Sequence, residues 1–101
     1  MPDELMRDAF ARHVGTRFEL GGPAEAVALE LVEVRELGAA AADPGRSFAL
    51  LFRGPRHKPL RQGTYQLRHH SIGEVALFLV PVGVDGGGTT YEAVFNRLPP
   101  R

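Results

Sequence analysis

The four histidines, His13, His57, His69 and His70, are the first side chains to consider for metal binding or proton transfer. Neighbouring residues on a strand point to opposite faces, so we expect that His69 and His70 cannot share one ion. None of the metal-ligand spacings HxH, HExxH or DxDxDG occurs in the sequence. The sequence therefore predicts no metal site.

Nucleophilic and acid–base chemistry have few candidates. The chain has no cysteine, and its serines are Ser47, which begins a predicted strand, and Ser71, which lies in a predicted turn; neither is in a GxSxG motif. Glu74 and Glu92 could form a carboxylate pair between neighbouring strands, but solvent-facing or arginine-paired carboxylates explain them more simply. The glycines at 86–88 join two predicted strands, and no helix follows them as in a nucleotide-binding loop. We predict that the protein is not an enzyme and has no cofactor.

Charge is distributed unevenly along the chain. Residues 1–45 contain nine acidic and four basic residues, whereas residues 46–72 contain six bases and no acid, although the net charge of the whole chain is zero. Most of this basic excess lies in a predicted loop at residues 53–61. Pro55 and Pro59 restrict the conformations of that loop, which lowers the entropic cost of binding a partner there.

This basic loop has two interpretations. It is either a solvated loop whose charges pair with the acidic N-terminal half of the same molecule, or a site for an anionic partner. In the second case the partner- or anion-binding residues are Arg53, Arg56, His57, Lys58 and Arg61. An acidic protein surface is the preferred partner, because the zero net charge and the lack of interleaved aromatic residues disfavour nucleic acid.

A short helix and six strands are predicted to position these residues. Leu5, Met6, Ala9 and Phe10 repeat at helical spacing, which predicts a helix over residues 3–14. From Thr16 onward the apolar residues alternate with period two between Gly- and Pro-containing segments. We therefore expect strands at about residues 16–20, 26–36, 47–53, 63–70, 74–82 and 89–97.

Residues 26–36 are the ambiguous segment. Their Ala, Leu and Glu content favours a helix. As a strand, however, Val27, Leu29 and Leu31 would share one face, and alternation would resume at Val32 after a slip of one residue, as at a β-bulge. We predict a strand, with a helix as the alternative.

These elements predict a single, mainly β domain (α+β by strict count) over residues 1–101. Its short N-terminal helix is followed by five or six antiparallel strands that form a curved sheet or small barrel, since closure removes exposed strand edges. Residues 74–82 are apolar on both faces, so we expect this strand to lie centrally with cover on each side, one side being covered by the helix.

The chain has no segment with the pattern of a membrane span or a secretory signal. Its longest uncharged apolar run, residues 75–84, is about half of what a bilayer requires. The N-terminus is acidic and amphipathic, where a secretory signal would be basic and then apolar. We expect a soluble, cytoplasmic protein that does not bind membranes.

Several segments are similar to a known family. The most specific are LFRGP at 51–55, QGTY at 62–65, LFLVP at 77–81 and YEAVFNR at 91–97. Together with the opening FARHVGTRFEL, they resemble a family of small bacterial proteins catalogued only as a domain of unknown function. The resemblance implies a bacterial, stand-alone protein. Members tend to be encoded near phage-tail-like or collar-type proteins, which implies an assembly or accessory role.

Three functions follow, in order of preference. The first is a non-catalytic protein-interaction or assembly module, which the resemblance links to phage-tail-like particles. It would contact another protein or a second copy through the loop at 53–61 or through an open strand edge. The second is an anion- or nucleic-acid-binding domain that uses the same loop. The third, a small hydrolase or isomerase, would require a deep polar pocket with a titratable pair.

Overall fold

The computed structural model describes residues 3–20, 27–36, 47–57 and 59–96 of the chain. All strand pairs are antiparallel, and the order β1-β2-β3-β6-β5-β4 closes the sheet into a barrel. The predicted mainly β fold is confirmed. Of the two predicted arrangements, a curved sheet or a small barrel, the structure has the barrel. The elements are α1 (Asp3–Ala11), β1 (Arg17–Leu20), β2 (Val27–Glu36), β3 (Ser47–Gly54), β4 (Gly63–His69), β5 (Gly73–Asp85) and β6 (Gly88–Asn96).

The core lies inside the barrel and is built from alternate residues of the strands. In β3, Phe48, Leu50 and Phe52 point inward and pair with inward residues of β6. Burial of each such side chain contributes about 1.5–3 kcal/mol, so the alternation of apolar residues is what drives the sheet to close around them. The largest fully buried side chains are those of Phe10, Phe18, Leu29, Leu31, Phe48, Leu50, Phe52, Leu67, Leu79 and Tyr91.

The ambiguous segment at residues 26–36 is a strand with a bulge. Leu31 pairs with Phe52, and the next pair joins Glu33 to Leu51, so the register slips by one residue at Val32. The predicted strand and its bulge are confirmed, and the helical alternative is wrong. Tertiary pairing with β3 overrides the helical preference of the local composition.

α1 ends earlier than predicted. The helix stops at Ala11, and the backbone N–H of His13 donates to the Phe10 carbonyl at 2.9 Å in a tighter turn. Gly15 has a φ of +91°, a conformation that favours glycine, and its N–H donates to the Leu31 carbonyl at 2.7 Å. Residues 12–15 therefore belong to the turn that leads into β1, because their backbone bonds go to the turn and to β2.

β5 differs most from its prediction. It extends to Asp85, and three of its large apolar side chains are open to solvent: Phe78, Val82 and Val84 are 51, 53 and 66% exposed. The expectation of cover on both faces is wrong. In a closed barrel every strand turns one face to the interior, so cover on the other face would need a further layer. α1 does not supply it here, because Phe10 packs into the barrel end, with its ring 6.0 Å from that of Phe95.

The other five strands differ from their predicted bounds by at most one residue at either end. Within the described ranges, no helix is long and apolar enough to cross a membrane.

Candidate functional site

Arg53, the first residue of the predicted basic loop, lies at the end of β3 and is held by an ion pair. Its Nη2 donates to Asp85 Oδ1 at 2.7 Å and its Nη1 to Asp85 Oδ2 at 3.3 Å, and Nη1 also donates to Thr90 Oγ1 at 3.2 Å. The hydrogen bond with Asp85 raises the pKa of Arg53, and the same bond lowers the pKa of Asp85. Arg53 thus links β3 to β5 and β6 and is not free to bind an anion.

The other predicted loop residues are spread over an exposed segment. Arg56, His57 and Arg61 are exposed, and Lys58 lies outside the described residues. Arg53 forms its ion pair with Asp85 on β5. It also lies opposite Glu30 of the acidic N-terminal half in the β2–β3 ladder, and the charge of Glu30 adds to the rise in the pKa of Arg53.

The loop between β3 and β4 is anchored to the barrel by two tyrosines. The backbone N–H of Leu60 donates to Tyr91 Oη at 2.7 Å, and Tyr65 Oη donates to the Arg61 carbonyl at 2.6 Å. Leu60 also packs partly buried against the core. Tyr91 is 1% exposed and lies in the core, as the alternation of β6 predicted. The same side chain also holds the loop at this end of the barrel.

A shallow groove joins this loop to the outside of the barrel. It has a volume of about 480 Å³ and is lined by Arg56 and Pro59 from the loop and by strand residues Pro81, Val84 and Thr89. The lining is largely apolar, with the Arg56 side chain as its charged group. The predicted loop and the apolar strand β5 therefore contribute to one surface.

Other exposed apolar side chains lie on β5 and β6. We call Phe78, Val82, Val84 and Val94 the β5–β6 patch; Val94 is 54% exposed. Single exposed apolar residues are common on protein surfaces, but several large apolar side chains on neighbouring strands are typical of sites that contact other proteins. In the sequence, residues 74–82 are apolar on both faces, a pattern that predicts a strand covered on each side and that here reflects exposed apolar side chains.

Three histidine rings gather at the opposite end of the barrel. The His69 ring lies 4.7 Å from that of His13 and 4.6 Å from that of His70, between ring centroids. The expectation that His69 and His70 point to opposite faces is wrong, because β4 ends at His69 and His70 already belongs to the turn. Alternation holds only within a strand.

Both nitrogens of the buried His69 ring are used in hydrogen bonds. Nδ1 accepts from the backbone N–H groups of Ser71 at 3.0 Å and Ile72 at 3.1 Å. Nε2 lies 2.9 Å from Thr16 Oγ1, and that hydroxyl donates to the His13 carbonyl at 2.5 Å. An Nδ1 that accepts must be unprotonated, so the ring is neutral with its proton on Nε2.

This arrangement gives His69 a structural role. Burial lowers the pKa of His69, and the neighbouring His13 and His70 lower it further. Since neither ring nitrogen is free, His69 is not available as a metal ligand. Across the described ranges, no group of three or more His, Asp or Glu side chains could hold a metal ion.

The carboxylate pair considered from the sequence does not form. Glu92 on β6 pairs with Val80 of β5, and Glu74 lies six residues before Val80 on that strand. The Glu74 carboxylate accepts a hydrogen bond from Gln66 Nε2 at 3.3 Å. At about 3.3 Å of rise per residue, the two positions are roughly 20 Å apart along the strand. They cannot act on one substrate bond.

Comparison with known proteins identifies one family. A family model described as "Domain of unknown function (DUF6916)" matches residues 5–95. No curated protein matches the chain. No solved structure matches it either.

Proposed function

We propose that this chain, which belongs to the DUF6916 family of unknown function, is a non-catalytic protein-interaction or assembly module. The observation that carries the proposal is the β5–β6 patch, in which Phe78, Val82, Val84 and Val94 are each more than half exposed on two neighbouring strands. Burial of a large apolar side chain in an interface contributes about 1.5–3 kcal/mol before the cost of association. In a phage-tail-like particle, the setting that the resemblance implies, such a patch would be buried in a larger assembly.

The strands under the patch are well suited to hold it in place. Residues 80–85 of β5 pair with β6, and β6 pairs along its whole length with β3. A surface held by ladder hydrogen bonds loses little conformational freedom on binding, which favours affinity. The patch is therefore preorganised for contact.

The partner proposed is a protein that presents apolar side chains with an acidic group beside them. Its apolar groups would cover the patch and enter the groove between Pro59, Pro81 and Val84, and its acidic group would lie near Arg56. Nucleic acid is a poorer fit, because the surface next to Arg56 is apolar. Anion binding by the whole 53–61 loop also has less support, because Arg53 is already paired with Asp85.

Site-specific photo-crosslinking in the source cell tests the proposal. A photo-reactive amino acid placed at Phe78 or Val84 should give one specific crosslinked protein, identified by mass spectrometry. The same amino acid at Glu19 is the matched control and should not give that product, because Glu19 is exposed on β1, which pairs with β2 and β4 and not with β5 or β6. No product at Phe78 and Val84, or the same products at Glu19, would overturn the proposal.

A charge-reversal pair then separates the apolar and ionic parts of the contact. Arg56→Glu should reduce crosslinking from Val84, and the reduction should be larger at low salt because the contribution is electrostatic. Arg61→Glu reverses another exposed charge of the same loop, outside the described lining of the groove, and should have a smaller effect. If the crosslinked species is a dimer of this chain, the partner is a second copy and not another protein.

A further inference from the structure

Each half of β5 pairs with a neighbouring strand along one edge, and the paired edge differs between the two halves. Residues 73–79 pair with β4, and residues 80–85 pair with β6. Among the described residues, no strand pairs with the β6-facing edge of Gly73–Leu79, and no backbone hydrogen bond from a loop reaches it. Every second residue of this stretch therefore directs its N–H and C=O groups to an open edge.

A groove of about 810 Å³ lies beside this edge, between α1 and the β4–β5 turn. One wall comes from the end of α1 and the turn after it, and the other from the β4–β5 turn and the first residues of β5. The lining residues are Ala9, Phe10, Arg12, His13, Ser71, Ile72, Glu74 and Val75.

The groove has an apolar base and one charged side chain on each wall. Phe10 is almost fully buried, and Ile72 and Val75 are partly buried against the core. On the helix side Arg12 is exposed, and its Nε donates to the Asp8 carbonyl at 3.4 Å. On the strand side Glu74 is exposed, and its carboxylate accepts from the Gln66 amide on β4 at 3.3 Å. A ligand in the groove would therefore meet a cation on the helix side and a carboxylate on the strand side.

We infer that this groove binds an extended peptide segment of a partner protein, which adds as a strand to the open edge of Gly73–Leu79. The inference rests on the proposed interaction function and names the kind of partner. An extended peptide supplies alternating backbone donors and acceptors at the spacing that a strand edge requires. Its alternate apolar side chains would pack over Ile72 and Val75, and an acidic side chain or terminal carboxylate would pair with Arg12.

The open edge is long enough for such a complex. Seven residues of extended strand span roughly 23 Å, and strand addition uses the hydrogen bonds of every second residue on that edge. Peptide recognition of this kind takes its affinity from the main chain and its specificity from pockets for alternate side chains. The groove at Ile72 and Val75 supplies such a pocket.

A peptide selection on the purified chain tests this inference. The probe is a display library of random short peptides, and selected sequences are then synthesised with a fluorescent label. We expect selected peptides to have alternating apolar residues and an acidic group. Methylation of two alternate backbone nitrogens should weaken their binding by about tenfold or more, because each lost backbone hydrogen bond costs about 1 kcal/mol. Binding to an apolar surface alone would not show this dependence.

Variants of the chain assign the binding to the groove. Val75→Arg, and separately Ala9→Arg on the opposite wall, should abolish peptide binding while the circular dichroism spectrum is unchanged. Arg12→Glu should weaken binding about threefold to fivefold, as expected for an exposed charge pair. Val84→Asp, at an exposed residue of the β5–β6 patch outside Gly73–Leu79, is the matched control and should leave peptide binding unchanged.

Each other outcome overturns the inference. No enriched peptide, or binding that is insensitive to backbone methylation, would mean that the edge does not accept a strand. Binding lost with Val84→Asp and kept with Val75→Arg would assign the peptide to the β5–β6 patch. Because photo-crosslinking from Val84 uses a residue outside both the groove and the edge of Gly73–Leu79, either proposal can fail while the other holds.

Discussion

The two ends of the barrel are closed in different ways. At the loop end, the loop between β3 and β4 is held by the hydroxyl groups of Tyr91 and Tyr65, and Leu60 packs onto the core. At the helix end, His69 connects the turn after β4 to Thr16 and the turn after α1 through both nitrogens of its ring.

This comparison shows that two of the sequence's candidates for binding or chemistry, Arg53 and His69, stabilise the fold. Arg53, at the loop end, is paired with Asp85, and the histidines at the helix end contain a buried hydrogen-bond network with no free nitrogen on His69. The candidate binding surfaces are instead apolar: the β5–β6 patch and the groove beside Val75. The helix end contains a buried histidine, whose pKa burial lowers, so we expect this end to lose stability in mild acid.

Both ends of the barrel pack onto one core, and the substitution Phe52→Asp should disrupt that core. Phe52 is fully buried, with its ring 5.4 Å from that of Phe18. An unpaired carboxylate there should cost several kcal/mol, about as much as the whole stability of a small domain. We expect an unfolded chain by circular dichroism, while Phe78→Asp on the exposed face of β5 stays folded. A folded Phe52→Asp variant would contradict the register of β3.

The next largest effect should come from His69→Ala at the helix end. It removes the acceptor for the N–H groups of Ser71 and Ile72 and the contact with the Phe18 ring, 4.5 Å away. We expect a loss of about 2–3 kcal/mol in the free energy of unfolding in urea. The control is His70→Ala, which removes an exposed ring and should cost less than about 1 kcal/mol. Equal losses would mean that the His69 network does not stabilise this end.

At the loop end, Tyr91→Phe should have a smaller effect. It removes the acceptor for the Leu60 N–H and keeps the ring in the core, so we expect a loss of about 1 kcal/mol. Hydrogen exchange of the Leu60 amide should become faster. Tyr65→Phe removes a more exposed hydrogen bond and should cost less. An unchanged exchange rate at Leu60 would show that Tyr91 does not hold the loop.

The smallest expected effect is a pH dependence of stability that arises from His69 at the helix end. The folded pKa of His69 lies below its ordinary value of 6.5, so the unfolded chain takes up a proton first as the pH falls. Stability should therefore be constant above pH 6.5 and decline below it, until the pH reaches the folded pKa. Urea unfolding of the wild type and of His69→Gln measures this decline.

The glutamine variant isolates the contribution of His69, because it keeps an acceptor and a donor but does not titrate. Its stability should fall less steeply with acid than that of the wild type. His13 and His70, which face the His69 ring, are present in both proteins, so the comparison changes the residue at position 69 alone. Equal slopes in the two proteins would assign the pH dependence to groups other than His69.

Much of the fold could be predicted from the sequence, because strand alternation is a local property. The inward residues Phe48, Leu50 and Phe52 follow from period-two spacing alone, and so does the bulge at Val32. The candidate site was less accessible. The sequence predicted a basic loop with five site residues. The structure pairs Arg53 with Asp85 and leaves Arg56, His57 and Arg61 exposed, and Lys58 lies outside the described residues.

The amino-acid sequence by itself determined which residues form strands and which of their faces is apolar. Only the tertiary structure decided what those faces meet. Tyr91 and Leu60 are 31 residues apart, Arg53 and Asp85 are 32 apart, and Thr16 and His69 are 53 apart. Contacts over such separations depend on how the barrel closes and in which register, and no local period encodes that closure. For the same reason, the two apolar faces of β5 looked alike in the sequence, and only closure separated a buried face from an exposed one.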